Sequence, residues 1–180
     1  MFEECSLIKN IKPLENWNVS NGTNFNMMLS HCNFSDLKPL KKWNVSKIKD
    51  FSYMFNECSS IKDIKPLENW NVSNGTNFSM MFSHCNFSDL KPLKNWNVSN
   101  AEDFSYMFCD CALISDLKPL ENWNVANCND FDMMFRGCKS LKNKNILQNW
   151  KFSRSTDFET MFREPNDDIG NDIEVYFEDD

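Results

Sequence analysis

Apolar residues recur along the chain in short clusters, and each cluster contains apolar positions spaced as on one face of a helix. In the stretch 50–58, Phe51, Met54, Phe55 and Cys58 take positions i, i+3, i+4 and i+7. An Asp, Asn or Ser precedes the cluster, and these residue types cap helix N-termini. The spacing therefore predicts a short helix in every cluster.

A second apolar pattern lies between these clusters. In the stretch 61–67, Ile61, Ile64 and Leu67 follow at three-residue steps, and Pro66 excludes a long central strand. The pattern predicts a short strand around Ile64, followed by a turn and an extended Trp-Asn-Val-Ser segment.

The two patterns alternate with a period of 26 or 27 residues. Tryptophan marks the period at Trp17, Trp43, Trp70, Trp96, Trp123 and Trp150. Other predicted core ladders run in phase with it through Phe51, Phe78 and Phe104, and through Cys32, Cys58, Cys85, Cys111 and Cys138. A unit of this size cannot bury its apolar face alone, so the units must stack. The sequence predicts an α/β repeat solenoid in which each coil holds a short strand and a short helix.

A longer period of 53 residues overlies the shorter one. Residues 17–46 and 70–99 differ at only three positions. Duplication of a block of two units explains this similarity most simply.

The repeat W-N-V-S-x-x-x-x-F-S-Y-M-F-x-x-C-x-x-I-x-D-I-x-P-L resembles the BspA-like leucine-rich repeats, over residues 1 to about 163. Such repeats occur in bacterial and mycoplasma surface proteins, in protist proteins and in giant-virus proteins. The resemblance implies leucine-rich-repeat-like coils with strands on one side and helices on the other. It also implies a binding or adhesion role and no enzymatic activity.

Charge divides the chain into two parts. The 180 residues carry a formal net charge of −7, and eight acidic residues and no basic residue lie in 164–180. We therefore expect a solenoid domain at 1–163, of about six units starting mid-unit, and an acidic tail or cap at 164–180. Lys144 takes an inward apolar position, which also predicts that the array ends near residue 163. An acidic tail disfavours nucleic acid as a partner.

Targeting signals are not visible in the sequence. No apolar run approaches the roughly 20 residues of a membrane span, and no basic and apolar leader opens the chain. We expect no membrane partner and an intracellular location, which would be the host cytoplasm if the protein is viral. The abundance of Asn and Lys is typical of an AT-rich genome.

Cysteine and histidine are the candidate reactive residues. The ladder cysteines are predicted to be buried free thiols, with disulfides or a metal site as alternatives. A column of thiols does not converge on an ion, so no metal and no cofactor are predicted. His31 and His84 are expected to be exposed and solvated. An active site must break the symmetry of the repeat. Only Cys109 and Cys128 break it enough to be considered as enzymatic residues.

The motif Asn-Val-Ser recurs at Asn18, Asn44, Asn71 and Asn97. These asparagines are expected to bond turn backbone between coils, with glycosylation as the alternative.

Charged residues flank the predicted strand in two rows. They are Asp36, Asp63, Asp89 and Asp116 on one side, and Lys38, Lys65, Lys91 and Lys118 on the other. Stacking would join them into a strip on the strand face, where solenoids bind partners; a merely solvated surface is the alternative. The functional hypothesis is a non-enzymatic scaffold for an unidentified protein partner. The second hypothesis is a surface adhesin or structural shell component derived from a longer repeat protein.

The first unit is incomplete in the sequence, because Met1–Cys5 aligns with Met54–Cys58. We expect its outer side to expose apolar residues, including Ile8, Ile11, Leu14 and Trp17. Such a patch predicts a weak homodimer through this end.

Overall fold

The chain winds into coils that stack along one axis, with one repeat tryptophan in each coil. Residues 7–142, 149–152 and 160–163 are described in this computed structural model. Isolated parallel bridges join successive coils at Asn24–Asp50, Asp50–Asn77, Asn77–Asp103 and Asp103–Asp130. The repeat solenoid predicted from the period is therefore present over the described residues.

The clusters predicted as helices form the backbone ladder of the solenoid instead. In the stretch 50–57, the N–H groups of Phe51, Tyr53, Phe55 and Glu57 donate to carbonyl oxygens of the next coil at 2.8–2.9 Å. We call the stretches 24–31, 50–57, 77–84, 103–110 and 130–137 the ladder segments. The helix predicted for 50–58 is wrong, and the described residues contain no α-helix.

Left-handed backbone explains why the helix does not form. Tyr53 and Glu57 have φ of 58° and 56°, and Met54 and Cys58 donate back to Phe51 and Phe55, so two tight turns follow each other. These turns place Phe51, Met54, Phe55 and Cys58 on the inner side, which is the spacing a helix would also give. The same two positions are left-handed in every described coil, at Met27, His31, Tyr53, Glu57, Met80, His84, Tyr106, Asp110, Met133 and Gly137.

A 3-10 helix replaces the strand predicted around Ile64. Five such helices occur in the described residues, at Lys12–Asn16, Lys38–Leu40, Lys65–Leu67, Lys91–Leu93 and Lys118–Leu120. Each has proline in its first turn, where the missing N–H costs nothing. The strand prediction is therefore also wrong, and outside the isolated bridges the described residues form no strand.

The core consists of the side-chain ladders that the period indicates. All the ladder residues named above are buried except Trp17, which is 39% exposed. Phenyl rings stack between coils, with centroids 5.2 Å apart for Phe51 and Phe78. The buried indole of Trp70 donates to the carbonyl of Leu40 in the preceding coil at 3.1 Å, and the indoles of Trp43, Trp96, Trp123 and Trp150 do the same. Dispersion and buried hydrogen bonds therefore act together at each coil boundary.

Several sequence predictions fall outside the described residues. They concern Met1–Cys5, the inward Lys144, and the cap or tail at 164–180. Within the described ranges, no helix has the length and apolar character that a membrane crossing requires.

Candidate functional site

The 3-10 helices occupy one corner of every coil. We call the stretches 9–16, 35–42, 62–69, 88–95 and 115–122 the lysine corner. All eight predicted site residues lie there and are exposed: Asp36, Lys38, Asp63, Lys65, Asp89, Lys91, Asp116 and Lys118. The prediction placed them on a strand face, whereas the backbone ladder lies elsewhere in each coil, so the charged strip and the ladder are separate surfaces.

The aspartates of the lysine corner have a local structural role. The Oδ1 atom of Asp63 accepts the backbone N–H of Lys65 at 2.8 Å. The same bond recurs from Asp36, Asp89 and Asp116 at 2.9 Å, and Asn10 makes it in the first coil. The aspartate lies one residue before the N-cap, whose own side chain makes no cap bond. Its Asx-turn bond satisfies the N–H of the first residue of the 3-10 helix, and we call this bond the cap. The motif Asp-x-Lys-Pro could have indicated this cap from the sequence.

Two neighbouring coils bring four of the predicted residues into one groove. Asp63, Lys65, Asp89 and Lys91 line an open groove of about 250 Å³, together with Lys62 and Glu68. Among the residues that the structure describes, Lys12 and Glu15 form the only ion pair within the lysine corner. The alternating charges at Glu15, Lys41, Glu68, Lys94 and Glu121 therefore make no direct pair between coils. The lysine ammonium groups of the groove remain exposed to solvent.

Charge is distributed unevenly between the faces of the solenoid. The lysine corner contains ten lysines and seven acidic residues, an excess of three positive charges. The ladder segments contain six acidic residues and one arginine, an excess of five negative charges. The lysine corner thus carries the largest positive excess of the faces compared, and that excess comes from the stretches 9–16 and 35–42.

The two histidines meet acidic residues of the next coil. Nδ1 of His31 lies 3.2 Å from Oε2 of Glu57, and Nε2 of His84 lies 3.6 Å from Oδ2 of Asp110. The sequence predicts solvated histidines and does not reveal these partners. All four residues occupy the same position of the repeat. The alternation of histidine and acid at this position could have indicated these contacts from the sequence.

Asparagines bond both within and between coils. Asn18, Asn44, Asn71 and Asn97 accept the N–H of the residue two positions later, so the bond expected between coils is made within one. The bond between coils comes from a different row: Asn74, Asn100 and Asn127 donate to carbonyls of the preceding coil at 2.6–2.8 Å. This second row consolidates the stack.

None of the seven described cysteines forms a disulfide, and all seven are buried. Burial raises the pKa of Cys58 and Cys128 to about 12. Burial, and then the neighbouring Asp110 carboxylate, raise the pKa of Cys109 to about 12. A thiol with such a pKa is not a nucleophile at neutral pH. No three His, Cys, Asp or Glu side chains among the described residues are arranged to hold a metal ion.

Comparison with known proteins identifies one family. The model of the family described as "Mycoplasma protein of unknown function, DUF285" matches residues 1–118 and 61–174. A search of curated protein sequences finds no match. Among solved structures, internalin C2 of Listeria monocytogenes is similar, at 18% identity and a TM-score of 0.49, over 81% of this chain and 57% of that one. A second Listeria monocytogenes internalin matches at 18% identity and a TM-score of 0.37, over 74% of this chain and 38% of that one.

Proposed function

The chain belongs to the DUF285 family, and we propose that it is a non-enzymatic scaffold that binds a protein partner through the lysine corner. The resemblance of its repeat to BspA-like repeats agrees with a binding role. A protein whose coils each repeat the same exposed residues offers an extended surface rather than a single pocket.

One observation carries the proposal. Lys38, Lys65, Lys91 and Lys118 stand exposed at the same position of successive coils. Within the described residues their face has the largest positive excess, and a groove between coils opens at Lys65 and Lys91. Because each neighbouring aspartate accepts the backbone N–H of its lysine, the backbone position of each lysine is fixed. A fixed row of like charges favours a partner with complementary acidic groups and speeds its association.

The cysteines support a role without catalysis. Cys109 and Cys128 interrupt the repeat, but both are buried and their pKa values are raised to about 12. Neither is therefore available as a thiolate at neutral pH.

The test removes the lysine charges without disturbing the caps. A variant carrying Lys38→Gln, Lys65→Gln, Lys91→Gln and Lys118→Gln keeps every aspartate. The matched control carries four exposed lysines changed to glutamine away from the lysine corner, at Lys47, Lys49, Lys139 and Lys142. A partner is first captured by the unmodified protein from host extract, and its dissociation constant is then measured against all three proteins.

We expect the corner variant to bind the captured partner at least tenfold more weakly, because several charge pairs are lost at once. The control variant should bind as the unmodified protein does. Equal weakening in both variants, or none in either, would refute the lysine corner as the docking surface.

A further inference from the structure

A polar groove of about 380 Å³ runs across four coils, outside the lysine corner. One side is formed by a row of asparagines that lie four residues after the repeat tryptophans, Asn74, Asn100 and Asn127. The other side is formed by the residues six positions after those tryptophans, Lys49, Thr76, Glu102 and Asn129. We propose that this groove binds a neutral, extended carbohydrate chain, with one sugar ring beside each coil. The proposal does not depend on the lysine corner as a docking surface.

The asparagine row holds hydrogen-bond acceptors in place for a ligand. The Nδ2 atoms of Asn74, Asn100 and Asn127 each donate to a carbonyl of the preceding coil at 2.6–2.8 Å. Their Oδ1 atoms accept no hydrogen bond from the described residues. Because one end of each carboxamide is already tied down, a ligand that binds the oxygen has little side-chain freedom to restrict. The row therefore presents acceptors at the spacing of the coils.

The first two coils show how such an acceptor is used. Asn21 has the same repeat position, and its Oδ1 atom accepts a hydrogen bond from Nζ of Lys47 at 3.0 Å. At Asn74 and Asn100 the residue one coil further on is a shorter asparagine, whose amide donates to a backbone carbonyl instead. The acceptors of Asn74 and Asn100 are thus left for a donor that comes from outside the chain.

The lining of the groove favours a neutral, hydroxylated ligand. Lys49 and Glu102 contribute one charge of each sign, and the other lining residues are uncharged. A polyanion or a polycation gains no net attraction from such a lining. None of the described lining residues is aromatic or aliphatic, so a peptide would find no pocket for apolar side chains. Hydroxyl groups both donate and accept, which suits this mixture of amide, ammonium, hydroxyl and carboxylate groups.

The period of the groove also fits a carbohydrate chain. From Lys49 to Asn129 there are three steps between coils, and at about 5 Å each they give a length of about 15 Å. An extended chain of β-linked hexoses advances by about one such step per ring, so each ring can repeat the contacts of the ring before it. An extended peptide advances by only about 3.3 Å per residue and does not keep this register. One ring for each of the four coils should fill the groove.

Titration of the full chain with cello-oligosaccharides tests the length of the site. Cellohexaose is a neutral β-linked chain of glucose, and we expect it to bind. The affinity should rise about tenfold from cellobiose to cellotetraose, because two further rings add their hydrogen bonds. It should change little from cellotetraose to cellohexaose, because the added rings lie beyond the groove. Failure of cellohexaose to bind would overturn the proposal, and so would equally tight binding of an uncharged Gly-Ser hexapeptide.

Matched variants test the place of binding. The groove variant carries Lys49→Met and Glu102→Met, and it keeps the asparagines that consolidate the stack. The control carries Lys91→Met and Glu68→Met in the groove of the lysine corner, which leaves the same net charge. We expect the groove variant to bind cellohexaose about tenfold more weakly, and the control to bind it as the unmodified protein does.

A third variant blocks the groove without removing a charged group. Asn129→Arg places a long side chain in the groove from an exposed position, and it should also weaken cellohexaose binding. Urea unfolding establishes that each variant is folded. Unchanged affinity in both groove variants, or an equal loss in the lysine-corner control, would overturn the proposal. Neither outcome alters the test of the lysine corner, which is read from the captured protein partner.

Discussion

Individual side chains are responsible for the cohesion between coils. The thiol of Cys85 donates to the carbonyl of Phe55 at 3.2 Å, and the indole of Trp70 makes the equivalent bond to Leu40. Both residue types are donors inside an otherwise apolar core, and both find a carbonyl one coil back. Burial favours the neutral thiol, which is why the pKa of Cys58, Cys85, Cys111 and Cys138 is raised.

Cys128 allows the contribution of one thiol to be measured. Ala101 occupies the same repeat position in the preceding coil and is also fully buried, so Cys128→Ala should be tolerated. The unfolded chain loses the thiol proton above its ordinary pKa of 9.0, whereas the folded chain keeps it until about 12. Unfolding therefore releases a proton in this window, and the stability contributed by the neutral thiol is lost as pH rises.

The expected result is a difference in slope. Between pH 9 and pH 10.5, the free energy of unfolding of the unmodified protein should fall more steeply than that of Cys128→Ala, by up to about 1.4 kcal/mol per pH unit. Urea unfolding at four pH values measures both slopes. Parallel curves would show that the folded state does not hold the thiol proton.

At the scale of the element, the contribution of each aspartate's cap to stability can be measured separately from the contribution of its charge. Asp63→Ala removes the acceptor for the N–H of Lys65 and should destabilise the protein by about 1 kcal/mol. Asp63→Asn keeps an acceptor, as Asn10 does in the first coil, and should retain most of the stability. Thermal and urea unfolding of the two variants check this order, and an equal loss in both would argue that charge rather than capping matters.

The left-handed turns of the ladder segments make a second prediction about an element. Met80 has φ of 52°, and the equivalent residues Tyr53 and Tyr106 share this conformation. A β-branched residue is strongly disfavoured there, so Met80→Val should cost about 1–2 kcal/mol. The control Met80→Tyr should change the free energy of unfolding by less than about 0.5 kcal/mol. Urea unfolding distinguishes them, and equal stability of the two variants would contradict the turn geometry.

The same turns explain how far the sequence could predict the fold. The period identified the stacking and the inward residues, because burial follows from side-chain spacing alone. It could not distinguish a helix from two tight turns, since both place Phe51, Phe55 and Cys58 on one side. Tyr53 and Glu57 adopt left-handed backbone although neither is a glycine, so their residue types do not indicate that conformation. The lysine corner was found as a charged strip, and the motif Asp-x-Lys-Pro could also have indicated its cap at Asp63. Its separation from the ladder depends on backbone geometry that the pattern does not encode.

At the scale of the whole molecule, one end of the described solenoid exposes apolar residues. Leu7 is 91% exposed and Trp17 is 39% exposed. They border a cleft of about 500 Å³ that is also lined by Ile8, Ile11, Leu14 and Leu29. We propose that two copies associate weakly through this end, because an exposed apolar cleft favours association.

Sedimentation over a concentration series tests this association. We expect a dimer at high concentration and a monomer for Leu7→Lys, which places a charge in the cleft at an exposed site. Ile11 and Leu14, which the sequence predicted to be exposed at this end, are buried instead, so substitution of Leu14 would disturb the fold. A closed dimer should not grow further with concentration, whereas head-to-tail stacking would continue into larger species. A strictly monomeric unmodified protein would disprove the association.

The contacts of His31 with Glu57 and of His84 with Asp110 limit how the array can change in length. Histidine and acid alternate from coil to coil, as do Glu15, Lys41, Glu68 and Lys94 at the corner. Deletion of 53 residues, which is two coils, would leave every remaining coil beside a coil of the same type as its present neighbour. Losing a single coil would instead set histidine beside histidine and glutamate beside glutamate. We therefore expect natural variants of this array to differ in length by pairs of coils.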